Sequence, residues 1–275
     1  MEVIPSQRIA FVGAGNVATH LAVSLYAVGW DIVGVYSRTY ESATALASRV
    51  CCVATDSLNS LPEADIYLFS VVDNVLPALL MEFSRQDRKG LWLHTAGSVP
   101  LSVFEGIHAD AGVLYPMQTF SKQKAINISQ VPLFIEATNE ASMAVLQQLA
   151  QSISSRVEPL DSVARGRMHV AAVFACNFVN HCYAQAALLM EESGLPFSLL
   201  LPLIDETAQK VHHLSPKLAQ TGPAVRRDTT VLERHAALLD NNPFQQELYQ
   251  LISRGIRELS ASVYTLNRND EKKVL

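Results

Sequence analysis

The stretch Arg8-Ile-Ala-Phe-Val-Gly13-Ala-Gly15-Asn-Val-Ala18 constrains this chain more than any other. Ile9 to Val12 form a short apolar run of the kind found in parallel strands buried on both faces. Gly13-Ala14-Gly15-Asn16-Val17-Ala18 then fits the G-x-G-x-x-G/A turn of a dinucleotide-binding βαβ unit. In such a turn the first glycine permits a tight reversal and the second lets backbone approach a pyrophosphate. The small residue at Ala18 lets the helix pack on the strand. The N-terminus of that helix offers free N–H groups and the positive end of its dipole to phosphates. Val17 to Val28 read as the helix, stopped by Gly29, and Ile32 to Tyr36 as the second strand. Gly13 to Val17 are therefore cofactor-binding candidates.

Ser37-Arg38-Thr39 follows the second strand. A site that prefers NAD carries an acid there for the ribose 2′-hydroxyl. A hydroxyl and a guanidinium suit a 2′-phosphate instead, through charge-assisted hydrogen bonds. The expected cofactor is NADP, held in part by Ser37, Arg38 and Thr39.

Further buried runs alternate with helical stretches up to Leu160: strands near Cys52–Ala54, Ile66–Val72, Leu91–His94, Val113–Tyr115, Val131–Glu136 and Val157–Leu160, and helices near 41–49, 76–83 and 140–154. This pattern predicts a doubly wound, mostly parallel Rossmann sheet over residues 1–160. Ligands bind such folds at the carboxyl ends of the strands. Val71, Val72, Asp73, Thr95 and Gly97 stand at those ends and complete the expected cofactor site. Tyr115 and Gln118 stand at a later end, where a nicotinamide and a substrate would lie.

From Ser162 onward long helical stretches replace strands, which predicts an all-helical domain over residues 161–275 for substrate binding and dimerisation. On the first long helix, roughly Ser162 to Ser193, His169, Cys176, Asn177, Asn180 and His181 recur at spacings that share one face of a regular helix. Polar groups on an otherwise apolar helix either satisfy one another or line a cleft. Histidine titrates near neutrality, which suits it to the proton transfer that accompanies hydride transfer. His169 and His181 are thus acid/base candidates, with Asn177 orienting a carbonyl or imine. The loop Thr221-Gly-Pro-Ala-Val-Arg226-Arg227-Asp228 offers a hydroxyl and two guanidinium groups. Thr221, Arg226 and Arg227 are candidate contacts for an anionic part of the substrate.

Composition bounds the setting. The chain of 275 residues is 49% hydrophobic and 17% charged, enough apolar surface for two cores. A net charge of −5 and the lack of a Lys/Arg run argue against nucleic acid or a membrane surface as partner. Four cysteines, two of them adjacent, lack metal-ligand or disulfide-framework spacing, so no metal is expected and reduced thiols point to the cytoplasm. Met1 to Gln7 have no apolar signal-peptide core. Val170 to Met190 could span a bilayer by length, but its Asn, His and Gln residues read it as a buried helix. No G-x-S-x-G elbow, H-E-x-x-H helix or C-x-x-C pair is present.

The amino-terminal half resembles the NADP-binding domains of the pyrroline-carboxylate reductase and deazaflavin-dependent NADP oxidoreductase group, through the Gly13–Ala18 turn, Ser37-Arg38-Thr39 and Ser70-Val-Val-Asp73-Asn. With His94-Thr-Ala-Gly-Ser, Tyr115-Pro-Met-Gln-Thr-Phe, Asn177-Phe-Val-Asn-His181 and Leu218 to Asp228, nearly the whole chain resembles a bacterial family that joins such a domain to a helical domain of unassigned function. The resemblance implies an α/β domain followed by an all-helical domain that often dimerises. It supplies no substrate, and neither proline biosynthesis nor deazaflavin binding carries over. The expectation is an NADP-dependent oxidoreductase that transfers hydride to or from a small organic substrate, as a homodimer through its helical half. The alternative is a dinucleotide-binding sensor or scaffold without catalysis.

Overall fold

The computed structural model describes residues 7–121, 123–124 and 126–271, with side chains as far as residue 261. The residues expected to lack a signal peptide lie almost wholly outside this range, as does the end of the chain after Glu271. The chain divides between Phe178 and Val179 into two compact units.

The first unit is built on a sheet of eight strands: β1 (Arg8–Val12), β2 (Asp31–Tyr36), β3 (Val53–Thr55), β4 (Ile66–Phe69), β5 (Leu91–His94), β6 (Ala111–Pro116), β7 (Leu133–Ala137) and β8 (Val157–Pro159). Their spatial order is β3-β2-β1-β4-β5-β6-β7-β8. Every pair is parallel except β6 with β7. The chain runs outward from β1 to β3, then crosses to β4 and runs the other way. The order therefore reverses between β1 and β4, the switch point at which such sheets open a crevice.

The expected apolar runs are strands because both of their faces are covered. Ile9 and Phe11 of β1 pack on one side with Leu21 and Leu25 of α1 (Asn16–Ala27) and Leu146 and Leu149 of α4 (Glu140–Ile153). Ala10 and Val12 pack on the other side with Leu76, Leu80 and Phe83 of α3 (Leu76–Ser84). Alternate residues serve opposite cores, so no polar alternation remains. Trp30, almost fully buried, donates its indole N–H to Ser152 Oγ at 2.9 Å and fastens the turn before β2 to α4. The short helix α2 (Tyr40–Ala47) links β2 to β3. Strand β4 stops at Phe69, short of the expected Val72, because the partner strand β1 turns away at Gly13 just beyond that point.

Helix α5 (Ser162–Ala172) follows the sheet within the first unit, capped by Asp161 Oδ1, which accepts the Ala164 amide at 2.8 Å. A π-helical turn, Val173–Phe178, ends the unit. The second unit is helical: α6 (Val179–Glu192), α7 (Leu201–Lys210), α8 (Pro216–Ala219), α9 (Pro223–Arg226), α10 (Thr229–Ala237) and α11 (Pro243–Glu271). The stretch Thr221–Asp228, expected to be a loop, holds α9, which like α8 before it has proline in its first turn. Helix α6 has no buried residue in the single chain, which corrects the expectation of a buried helix over Val170–Met190. Among the described residues no helix is long and apolar enough to cross a membrane.

Candidate functional site

The carboxyl ends of β1, β2, β4, β5 and β6 open onto a cavity of about 700 Å³ within the first unit. Gly13, Ala14, Gly15, Asn16 and Val17 line it at the switch point. Gly13 has φ +118°, and a Cβ there would lie 2.2 Å from the Ser70 carbonyl oxygen. Its role is the close approach of two backbones. A Cβ at Gly15 would meet nothing within 4 Å. The space over Gly15 belongs to the cavity, and Gly15 precedes α1 with no side-chain cap on that helix. The first N–H groups of α1 are left free to donate to an anion. Helix α4, by contrast, is capped by Asn139. Asn16 lines the cavity, yet its side-chain amide donates to the Phe120 carbonyl at 2.9 Å. His20, one turn on, meets the Ser121 carbonyl at 2.9 Å. These contacts hold the segment after β6 against α1.

Ser37 and Arg38 line the cavity beyond β2. Arg38 is exposed and makes no ion pair among the described residues. Thr39 does not line the cavity; its hydroxyl donates to Ser42 Oγ at the start of α2. Val71, Val72 and Asp73 line the wall after β4, and Thr95 and Gly97 line the wall after β5. Asp73 accepts a hydrogen bond from Ser98, and Thr95 donates to Ser70 Oγ at 3.2 Å. Val75, Ala78, Leu79 and Glu82 complete the wall from α3 and the residue before it, and were not expected there. Their i, i+3, i+4, i+7 spacing is a signal the sequence carries.

At the far end lie Tyr115, Pro116, Gln118 and His169. Tyr115 OH and His169 Nδ1 are 3.0 Å apart. Burial raises the Tyr115 phenol above its ordinary value, against a lowering by Arg165, with Asp73 raising it further. The phenol therefore keeps its proton, and in the tautomer that accepts this bond at Nδ1 the His169 ring carries its N–H at Nε2. Gly97 is pressed against this pair: a Cβ there would stand 2.5 Å from His169 Nδ1 and 2.8 Å from Tyr115 Cε2.

The other candidates fall elsewhere. Asn177 is exposed in the π turn and does not line the cavity. The π turn also interrupts the regular repeat on which a shared face for His169, Asn177 and His181 was expected. His181 belongs to the second unit, where it meets Gln185 Nε2 at 3.2 Å and the Phe244 ring at 6.0 Å. Thr221, Arg226 and Arg227 are exposed in the second unit, where Arg227 ends α9 in the left-handed region at φ 55°. Among the described residues no group of His, Cys, Asp or Glu could hold a metal ion.

Behind the far end lies a buried polar cluster. His94, fully buried on β5, accepts the Ala96 amide at Nδ1. Burial and then the neighbouring Arg165 push its imidazole down to about 3. The folded value lies below the ordinary 6.5, so the unfolded chain takes up a proton first as pH falls. Stability from this residue is complete above pH 6.5 and drains away toward pH 3, by up to about 1.4 kcal/mol per pH unit. Urea unfolding at about pH 7 and about pH 4.5 is expected to show this loss, and His94→Gln to remove much of it. Equal acid sensitivity in the two proteins would refute the assignment.

Comparison with known proteins places this architecture. Residues 8–93 match the family described as NADP oxidoreductase coenzyme F420-dependent, and residues 131–256 match a domain of unknown function, DUF2520. A Bacteroides fragilis protein described as a "putative NADP oxidoreductase" is 48% identical, over 92% of this chain and 98% of that one, with a TM-score of 0.88. This chain belongs to that family. It is a member that joins an NADP oxidoreductase domain to a DUF2520 helical domain. More distant structures share the fold. They include an imine reductase from Myxococcus stipitatus in complex with NADP+ (15% identity, TM-score 0.66, 93% and 94% of the two chains). A pyrroline-5-carboxylate reductase from Coxiella burnetii also matches (18% identity, TM-score 0.57, 98% of each). A search of curated proteins finds no match.

Proposed function

We propose that the cavity holds NADP(H) and that this member of the NADP oxidoreductase family reduces a small organic C=N or C=O substrate beside Tyr115 and His169. The observation that carries the reading is one continuous cavity, with an uncapped helix and Arg38 toward one end and a hydrogen-bonded Tyr–His pair at the other. The residues fit the dinucleotide: Gly15 leaves open space above an uncapped helix, and Arg38 forms no ion pair among the described residues. The first turn of α1 receives the pyrophosphate, and Ser37 with Arg38 receives the 2′-phosphate. Bound NADPH supplies a hydride from its nicotinamide ring. Thr95, Gly97 and the wall after β4 fix the position of that ring, and His169 Nε2–H gives the proton that completes the reduction. Gln118 is a substrate contact on the same wall. Asn177 as an orienting residue, His181 as a second acid/base candidate, and Thr221, Arg226 and Arg227 as contacts for an anionic group of the substrate stay part of the proposal.

Cofactor preference tests the reading. Loss of one charge-assisted phosphate contact costs about 1.5–3 kcal/mol. Arg38→Ala is thus expected to weaken NADPH binding by about tenfold or more, with NADH binding little changed, as read by calorimetric titration. Equal binding of both cofactors by the unsubstituted protein would count against it.

The proposal extends to assembly and setting. The helical part, from about residue 161, serves as substrate and dimerisation domain. Leu188, Leu195, Leu201, Leu203, Phe244 and Leu251 are exposed in the single chain, more apolar surface than a monomer ordinarily leaves open. Light scattering at micromolar concentration is expected to give a dimer mass, and a monomer would remove this part of the proposal. The four cysteines are free, which suits a reducing cytoplasm, and the net charge of −5 suits a protein without a nucleic-acid partner.

A further inference from the structure

Glu136 and Arg165 stand apart from the cavity wall, yet one of them is the most deeply buried cation described. The Arg165 side chain is 1% exposed and that of Glu136 19%. Arg165 Nη1 bonds Glu136 Oε2, and Nη2 donates to the Val99 carbonyl at 2.8 Å and to Ser162 Oγ at 3.1 Å. Glu136 accepts the Ser162 amide at 3.0 Å and its hydroxyl at 2.7 Å, while Ser162 Oγ accepts the Leu101 amide at 2.8 Å. Three segments meet in this cluster: β7, the stretch after β5 that contains Gly97, and α5. One turn beyond Arg165, α5 carries His169 against Gly97 and Tyr115. A buried ion pair is costly to form and is weak evidence for stability by itself. Its placement here asks for another reason.

We propose that Arg165, held by Glu136, is a positioning residue for proton transfer: it locks α5 so that His169 meets Tyr115, and its charge stabilises the Tyr115 oxygen as the proton leaves. This rests on the reading of His169 as proton donor. As substrate accepts hydride, the Nε2–H bond of His169 breaks and that proton goes to substrate. Nδ1 takes the proton of Tyr115, whose O–H electron pair stays on the phenolate oxygen. Nδ1 then returns that proton to Tyr115, and solvent reprotonates Nε2, which restores the starting pair. The groups that act on this phenol are His169 and Arg165 from α5 and Asp73 from the segment after β4, with the Met117 sulfur 4.0 Å away. Of these, Arg165 is the cation, and it opposes the effects of burial and of Asp73.

Fluorotyrosine in place of tyrosine brings phenol ionisation into a range where the full chain stays folded, and fluorine NMR reads each residue, with Tyr115→Phe identifying the signal. Arg165→Met is expected to make the Tyr115 phenol about tenfold less acidic, and Arg165→Lys to restore most of that acidity. Glu136→Gln, which leaves the cation uncompensated, is expected to make the phenol more acidic. An unchanged phenol in these variants, with only the unfolding midpoint lowered, overturns the proposal and leaves the pair a structural tie. Where Arg165→Met does not fold, Glu136→Gln decides: a phenol no more acidic than in the unsubstituted protein overturns it. The proton-donor reading fails separately, if His169→Ala keeps full turnover while the Arg165 effect on the phenol remains.

Discussion

His169→Ala is expected to lower kcat by about 10²–10⁴-fold while NADPH binding stays close to that of the unsubstituted protein. His169 lines the end of the cavity away from Arg38, and its ring is oriented by the 3.0 Å contact with Tyr115. Removing it takes away the proposed proton donor and no phosphate contact. Tyr115→Phe leaves the ring packing against Gly97 but frees Nδ1, so a smaller loss of kcat is expected, with KM for NADPH little moved. Stopped-flow reduction of a panel of cyclic imines and ketones, with cofactor binding followed by nicotinamide fluorescence, separates the two effects. Equal losses of NADPH affinity and of turnover would place His169 in cofactor binding and contradict its assignment.

Two glycines two residues apart are expected to fail in opposite ways. Gly13→Ala adds strain at φ +118° and forces a Cβ to within 2.2 Å of the Ser70 carbonyl oxygen, which cannot move without parting β1 from β4. Strain and overpacking at about 1–3 kcal/mol each give a loss of about 2–6 kcal/mol, enough to unfold many domains. Gly15 has φ −76°, which any residue adopts, and the space beyond it is open. Gly15→Ala is expected to fold with an unchanged melting temperature and to bind NADPH about tenfold to a hundredfold less tightly. Thermal melts with and without NADPH distinguish the cases. A stable Gly13→Ala, or a Gly15→Ala that binds NADPH normally, would contradict the roles assigned to the turn.

Much of the first unit was legible because its strands are covered on both faces. The run Ile9–Val12 has no polar alternation, and the structure shows why: its residues enter two different cores. The nucleotide turn was legible from glycine spacing with a strand before it and a helix after. Other features depended on pairings that sequence does not display. Val71 and Val72 prolonged an apolar run past Phe69, although the ladder ends where β1 turns at Gly13. Glu136 and Arg165 are 29 positions apart, and their meeting requires β7 to pair antiparallel with β6. The π turn over Val173–Phe178 has no signature in hydrophobic periodicity, so equal spacing gave His169, Asn177 and His181 equal standing. The apolar residues of α6 gave no sign that the single chain leaves them uncovered. The stripe Val75, Ala78, Leu79 and Glu82 was readable, since its spacing is that of one helix face.

A crystal structure of the full chain with NADP+ tests the central claim most directly. The expected result places the pyrophosphate over Gly15 and the first turn of α1, the 2′-phosphate on Ser37 and Arg38, and the nicotinamide beside Gly97, with its C4 facing a space bounded by Tyr115 and His169. A nicotinamide turned away from Tyr115 and His169, or a dinucleotide bound outside this cavity, would contradict it.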